Sequence, residues 1–277
     1  MLYLLLAILS STAVAVLMRM SGKHSRNGMT VLASNYAMCL VAAGALAGWP
    51  LFPAGEGLGL TIGLGVINGI LYLGGFVLLQ WCIGHSGVVL PATFQKLGVV
   101  LPTIAAMTIF REKAQPMQLL GIGLAVASIL VMNEKQKGQR VAGLGGLLAL
   151  LLVCGSCEVM SKVFEHWGSA TLDDHFLFYT FVVAFLLCVV LCFVKKQGIT
   201  LADVLWGLAI GVPNYFCAFF VLGAIRQMPA VIVYPTYSAG TIIAVTLVGV
   251  LAFREKLSRR KVIALGMVVA ALVLLNL

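Results

Sequence analysis

Apolar residues in this chain come in long unbroken runs. They show neither the alternation of a half-buried strand nor the one-sided stripe of a soluble helix. Ten such runs stand out, at roughly 3–20, 29–48, 58–80, 88–110, 116–132, 142–162, 174–194, 203–223, 230–252 and 260–276. Crossing the hydrocarbon of a bilayer takes about 20 apolar residues in helical form. Backbone amides in lipid must be paired within the segment, so each run reads as a helix. The pattern predicts an all-α membrane protein of ten transmembrane helices. The gaps between runs are too short for a soluble domain. The most polar gap, Asn133–Val141, carries Glu134, Lys135, Lys137 and Arg140 and separates five runs from five. Two units are therefore expected, residues 1–133 and 142–277.

The two halves share more than a helix count. Phe110-Arg111-Glu112-Lys113 returns as Phe253-Arg254-Glu255-Lys256, 143 positions later. Each tetrad closes one apolar run and precedes another that ends in Asn, at Asn133 and Asn276. Thr93-Phe94 lies opposite Thr236-Tyr237 at the same offset, and Gly65-x-x-x-Gly69 lies opposite Gly207-x-x-x-Gly211 at an offset of 142. This is an internal duplication. An odd number of spans per half makes the second half enter the membrane from the opposite side, so two inverted five-helix repeats are expected. Secondary transporters are built this way, with the substrate between the repeats near the midplane. The tetrads themselves read as charged hairpins between paired helices.

Composition agrees. Of 277 residues, 61% are hydrophobic and 10% charged, where a soluble domain carries about 25% charged residues. The net charge of +9 lies mostly in and beside the gaps. No basic patch has the interleaved aromatics of a nucleic-acid surface. Odd-numbered gaps hold thirteen Lys and Arg and even-numbered gaps four (Arg111, Lys113, Lys162, Arg226), which predicts cytoplasmic odd gaps and both termini outside. The expected location is the plasma (inner) membrane, as a multi-pass protein. All seven cysteines lie within apolar runs. Cys154-x-x-Cys157 has no second pair or nearby His to complete a metal site, so no metal or cofactor is expected. The first run has no basic segment before it and does not read as a cleaved signal peptide.

Two five-helix halves, each with a charged turn containing Glu and a Gly-rich last helix, resemble the drug/metabolite transporter superfamily. The similarity is greatest to its ten-helix EamA-like branch. It is carried by Ile109–Lys113 with Gly121-Ile122-Gly123, and by Ala252–Lys256 with Gly266. The resemblance implies a carrier of small metabolites with a central cavity lined by helices 1, 3, 4, 6, 8 and 9. It also implies cytoplasmic termini, against the charge count. Thr93-Phe94-Gln95-Lys96 is similar to a Gln-x-Lys element of the nucleotide-sugar transporter branch, one residue out of step, and points toward anionic substrates.

Candidate site residues are polar groups at membrane depth. Lys96 is the one basic residue well inside a predicted span, where a Lys costs about 2.5–3.5 kcal/mol unless it faces a cavity or a partner. It could bind an anionic group or serve structurally. Glu158 lies four residues before Lys162, on one helical face, so a local ion pair competes with a proton-coupling role or a pairing with Lys96. Gln95 and Thr93 flank Lys96. Asn68 and Tyr72 share a face in the third run. Tyr72 coincides with Asn214 when the glycine pairs are superposed, and Tyr215 adjoins Asn214. In the ninth run Tyr234 and Ser238 share a face, with Thr236 and Tyr237 between them. Pro91, Pro102 and Pro235 would bend their helices or free carbonyls that a solute or ion could use.

These readings favour a secondary-active carrier of a small metabolite, anionic or amino-acid-like, working by alternating access. The alternatives are a multidrug exporter of the same superfamily and, in another class, a channel or lipid-handling scaffold. An enzyme is not expected, because no nucleophile–base set or His/Asp/Glu cluster has the required spacing. Expected partners are a small-molecule substrate and the lipid bilayer. Proton or ion coupling and a homodimer are compatible with the sequence.

Overall fold

The structure is a computed structural model that describes residues 1–22, 24–53, 56–86, 89–132, 144–195, 198–254 and 258–275. The described residues form eleven α-helices and a single 3-10 turn, with no strand. The helices are α1 (Leu2–Ser21), α2 (Gly28–Ala47), α3 (Leu58–Ser86), α4 (Val89–Leu97), α5 (Val100–Thr108), α6 (Pro116–Met132), α7 (Leu144–Trp167), α8 (Asp173–Val194), α9 (Leu201–Gln227), α10 (Ala230–Phe253) and α11 (Arg259–Leu275). Seven of them are long and apolar enough to cross a membrane, and shorter apolar helices lie at Phe94–Thr108 and Pro116–Val131. Leu5, Leu9, Leu120, Leu130, Phe193 and Leu251 point outward from these helices. Apolar side chains of this size on so many helix exteriors suit contact with lipid rather than water. The protein is a multi-pass, all-helical membrane protein.

Several boundaries differ from the sequence reading, among them the end of α9, which runs to Gln227 and takes in Arg226. α3 runs on to Ser86, so His85 is helical, donates Nδ1–H to the Trp81 carbonyl (2.8 Å) and lies tilted against the Trp81 ring. α7 extends to Trp167, which places Lys162 inside a helix rather than in a gap. The fourth run is two helices, broken at Gly98-Val99. Pro102 explains the break. It has no N–H for the Gly98 carbonyl, which takes the Leu101 N–H at 3.0 Å instead, in a tighter turn. Pro91 sits in the first turn of α4, where no donor is missed, and Pro235 lies within a continuous α10.

The chain folds as two compact units, and each draws on both halves of the sequence. The first comprises Met1–Leu73 and Val163–Ala224; the second comprises Gly74–Lys162 and Ile225–Leu277.

In the first unit α2 packs on α8. The two glycine pairs set two further crossings. Gly65 and Gly69 of α3 lie on the α8 backbone, and Gly207 and Gly211 of α9 lie on the α2 backbone. The contacted atoms correspond one by one. A Cβ at Gly69 would stand 2.6 Å from the Thr180 carbonyl oxygen, and one at Gly211 would stand 2.6 Å from the Asn35 carbonyl oxygen. Tyr179 and Val183 meet the first pair as Ser34 and Met38 meet the second. The duplication visible in the glycines therefore extends to their partners, at a register (Asn35 to Thr180) that no shared motif marks.

The turn between α1 and α2 is fastened to the start of α9. Thr200 receives the Asp203 N–H at 3.2 Å and donates its hydroxyl to Asp203 Oδ2 at 2.7 Å. Asp203 Oδ1 accepts the backbone N–H groups of Arg26 (2.8 Å) and Asn27 (3.4 Å). Asn27 in turn caps α2 through the Met29 N–H. The Asp203 side chain is fully buried. Asp203→Ala strips three donors of their acceptor and should cost about 2–4 kcal/mol. The expected readout is a clear fall in Tm in detergent, with Asp203→Asn intermediate; an unchanged Tm would refute the clasp.

In the second unit α6 packs on α11, and α10 packs on α5 and α11. Gly121 permits the first contact, lying against Ala271 and Leu275, whereas Gly123 and Gly266 face open space. Both tetrads end their helix in the same backbone form: Arg111 (φ 54°) and Arg254 (φ 52°) are left-handed. Two non-glycine residues in this region, at matching places, are a shared local strain of about 1–2 kcal/mol each. Glu255, Lys256, Asn133 and Asn276 lie outside the described residues.

Candidate functional site

The predicted site residues fall into two clusters, one within each unit.

The first unit holds Asn68, Tyr72, Asn214 and Tyr215. Asn68 is buried and donates Nδ2 to Thr180 Oγ1 at 3.4 Å; its Oδ1 has no partner among the described residues. Asn214 donates Nδ2 to Asn35 Oδ1 at 3.2 Å and lies 3.5 Å from Cys39 Sγ. Tyr215 is fully buried and donates to Asp174 Oδ1 at 3.5 Å. Tyr72 packs edge-on to Phe181 (centroids 5.8 Å) and to Tyr36 (6.4 Å), and Phe181 also meets Tyr215. Asn35, Tyr36, Asp174, Thr180 and Phe181 belong to this cluster and escaped the sequence reading. Asn35 and Thr180 were findable in principle, as polar residues inside apolar runs, but nothing marked them as the surfaces on which the glycine pairs lie.

The second unit holds the rest. The α4–α5 break is pressed against α7. A Cβ at Gly98 would stand 3.1 Å from the Gly155 nitrogen, and one at Gly155 would stand 2.6 Å from the Gly98 oxygen. Lys96 lies two residues before Gly98, and Glu158 three residues after Gly155. The Lys96 charge acts on the Glu158 carboxyl. Lys96 and Gln95 are on the exposed side of α4, and Glu158 is half-buried. The side chain of Thr93 lies outside the described residues.

From α10, Tyr234 donates its hydroxyl to the Glu158 carbonyl oxygen at 2.7 Å and is fully buried. Tyr237 is half-buried. Thr236 and Ser238 are buried, and their hydroxyls have no partner among the described residues; Thr241, absent from the sequence reading, shares this condition. A hydroxyl in a membrane helix ordinarily bonds the carbonyl one turn back. Ser238 and Thr103 enter a small, mostly apolar cleft lined also by Val99, Ile129 and Pro235.

Lys162 does not pair with Glu158. Its Nζ lies 2.7 Å from Glu112 Oε1 of the first tetrad and 5.4 Å from the Phe110 ring centroid. The other Glu112 oxygen accepts the Val231 N–H in the first turn of α10 at 2.9 Å. The first tetrad is thus a buried tie between helices rather than a plain hairpin. The sequence missed it because Glu112 and Lys162 are 50 residues apart, whereas Glu158 is one turn away.

No group of three or more His, Cys, Asp or Glu suited to a metal occurs among the described residues. The arrangement offers a lysine and a carboxyl on segments that meet at a broken helix, and buried hydroxyls with no partner among the described residues. These are means of binding and releasing a polar solute.

A protein of Haemophilus influenzae (strain Rd), described as uncharacterized, is 25% identical over 270 residues, covering 92% of this chain and 91% of that protein. A crystal structure superposes with a TM-score of 0.73 at 16% identity, over 99% of this chain and 94% of that one, which shows a shared fold. Residues 1–134 and 142–277 each match the EamA-like transporter family. The chain belongs to that family, membrane transporters of the drug/metabolite type.

Proposed function

We propose that this transporter is a secondary-active carrier of a small solute bearing an anionic group, alone or in an amino-acid-like zwitterion, at the plasma membrane. The observation that carries this reading is the placement of Lys96 beside Glu158 at a helix break. A lysine in a membrane helix is costly unless a partner or a wet cavity receives it. An anion that takes Glu158's place keeps the lysine neutralised, and the exchange makes the loaded and empty states differ in charge arrangement. The unpartnered hydroxyls of α10 and the discontinuous fourth segment support the reading, since carriers bind solutes where helices are broken. The matched contacts of the two glycine pairs support a repeat architecture, inverted if each half has five spans.

The test is uptake into proteoliposomes from a panel of amino acids, carboxylates and organic phosphates, chosen after comparing metabolites in deletion and overexpressing cells. A carrier gives saturable uptake that accelerates when the same solute is preloaded on the far side. Non-saturating flux without such acceleration would indicate a channel, and product formation without accumulation an enzyme; either outcome rejects the proposal.

A further inference from the structure

Three sulfur-bearing side chains gather where α2 begins and α8 ends. Cys188 is fully buried, and its Sγ lies 3.7 Å from Met29 Sδ and 3.8 Å from the Met29 carbonyl oxygen. Cys192 follows Cys188 by four residues on α8, so the two share a face, with Cβ atoms about 5–6 Å apart. Both cysteines are free thiols. Met29 is buried in the first turn of α2, and Cys192 is half-buried in the last turn of α8. The backbone that carries Met29 is fixed, because its N–H bonds the Asn27 side chain at 3.1 Å and Asn27 belongs to the turn clasped by Asp203. The thioether is thus held against α8 with only side-chain torsions left to adjust.

Packing alone is served as well by carbon as by sulfur. Metal–sulfur bonds are about 2.3 Å long, so three sulfurs around one ion stand about 4 Å apart. The 3.7 Å between Met29 and Cys188 is close to that spacing. The donor set, two thiols and a thioether, is soft throughout. Such ligands select Cu(I), whereas structural zinc takes four ligands from Cys, His and carboxylate, and magnesium and calcium take oxygen. The group escapes a count of His, Cys, Asp and Glu because its third donor is a methionine.

We propose that Met29, Cys188 and Cys192 form a binding site for one Cu(I) ion, which joins the start of α2 to the end of α8. The thiolate is the metal ligand, so each cysteine gives its proton to water as its sulfur–copper bond forms, while the thioether shares a lone pair and loses nothing. Copper stays monovalent and no electron moves. One such ion with two thiolates leaves a single negative charge. Lys195 follows Cys192 by three residues at the end of α8 and offsets part of that charge. The polar turn at Arg26–Asn27 lies at this end, as does the Gly198 carbonyl, which accepts from Asn27 and Thr30. An ion therefore approaches from the helix ends rather than through hydrocarbon. Once bound it holds two helices together, so it stabilises the fold by mass action.

The test gives Cu(I) to the reduced, full-length protein in detergent without oxygen, in competition with the chelator bathocuproine disulfonate. The chelator keeps free Cu(I) too low for an isolated thiol to compete, and its absorbance reports the copper that the protein takes. The parent should hold one Cu(I) per chain, release about two protons into weak buffer, and melt at a higher temperature with copper than without. Met29→Leu keeps the size of the side chain, a mild change in a core, and removes the sulfur. It should weaken binding at least about tenfold. Cys188→Ser and Cys192→Ser should weaken it further. Cys154→Ser combined with Cys157→Ser removes the other close pair of cysteines and should leave the copper in place. A parent that retains no copper overturns the proposal, as does parental affinity in both Met29→Leu and Cys188→Ser. Loss of copper in the Cys154/Cys157 variant also overturns it, by placing the ion at that pair. No transported solute enters this measurement, so it stands apart from the carrier reading.

Discussion

Gly211→Val and Gly69→Val are each expected to prevent assembly of the first unit, at a cost of at least about 3 kcal/mol. At both positions even a Cβ would stand 2.6 Å from a backbone carbonyl oxygen of the facing helix, Asn35 for Gly211 and Thr180 for Gly69. A side chain can turn away from such an intrusion; a helix backbone must move as a whole. Helices in lipid gain little from hiding apolar surface from each other, and close approach through small residues supplies the attraction that replaces it. Moving α9 off α2 also separates Asn214 from Asn35, and moving α3 off α8 separates Asn68 from Thr180, so packing and polar contacts are lost together. The measure is the yield of monodisperse protein in mild detergent and its Tm. Gly63→Val is the control: it lies in the same α3 with open space around its Cβ and should behave as the parent. Normal yield and Tm for both Gly69→Val and Gly211→Val would mean that these crossings are loose.

The equivalence of the two glycine pairs was legible because both halves retain the motif. Their partner surfaces were not, because Asn35 and Thr180 differ chemically while presenting the same backbone. Helix type and the position of most helices followed from hydrophobic runs, where the bilayer imposes internal hydrogen bonding; of the ten expected spans, seven helices have the length and the others are shorter. The break in the fourth run was not placed, because its cause is divided between Pro102 and a glycine four residues earlier. Pro91 and Pro235 look as disruptive in sequence, yet one occupies a first turn and the other a continuous helix. In the site, depth singled out Lys96 and Glu158, since a charge in an apolar run has few explanations. The partner of Lys162 was not legible, for the opposite reason. Local spacing supplied an attractive partner in Glu158, and the buried tie to Glu112 arises only when the α5–α6 turn meets α7. Residues such as Thr241 and Asp174 carry no local signal, because one more hydroxyl, or an acid near a helix start, is ordinary until its surroundings are known.

Lys96→Met is expected to lower uptake of the transported solute at least about tenfold, equivalent to about 1.4 kcal/mol of lost interaction. The methionine keeps most of the stem and removes the charge. Lys96→Arg keeps the charge but alters its shape and hydration, so an intermediate rate is expected. These single changes do not by themselves separate binding from structure. Removing one member of a buried ion pair leaves the other charge uncompensated, which costs about 3–5 kcal/mol where both are well shielded. Lys96 is exposed and Glu158 half-buried, so screening keeps the cost here below that range. Glu158→Gln and Lys96→Met should each lower Tm, and the double variant should recover most of it, because both charges are gone. Uptake should follow the other pattern. If Lys96 receives the anionic group of the solute, the double variant remains as inactive as Lys96→Met, however well it folds. The two readouts thus form one double-mutant cycle with different signs of coupling for stability and for transport. Recovery of uptake together with Tm in the double variant would show that the pair only holds α4 against α7. The anion would then have to be received elsewhere, with the hydroxyls of Thr236, Ser238 and Thr241 as the next groups to test.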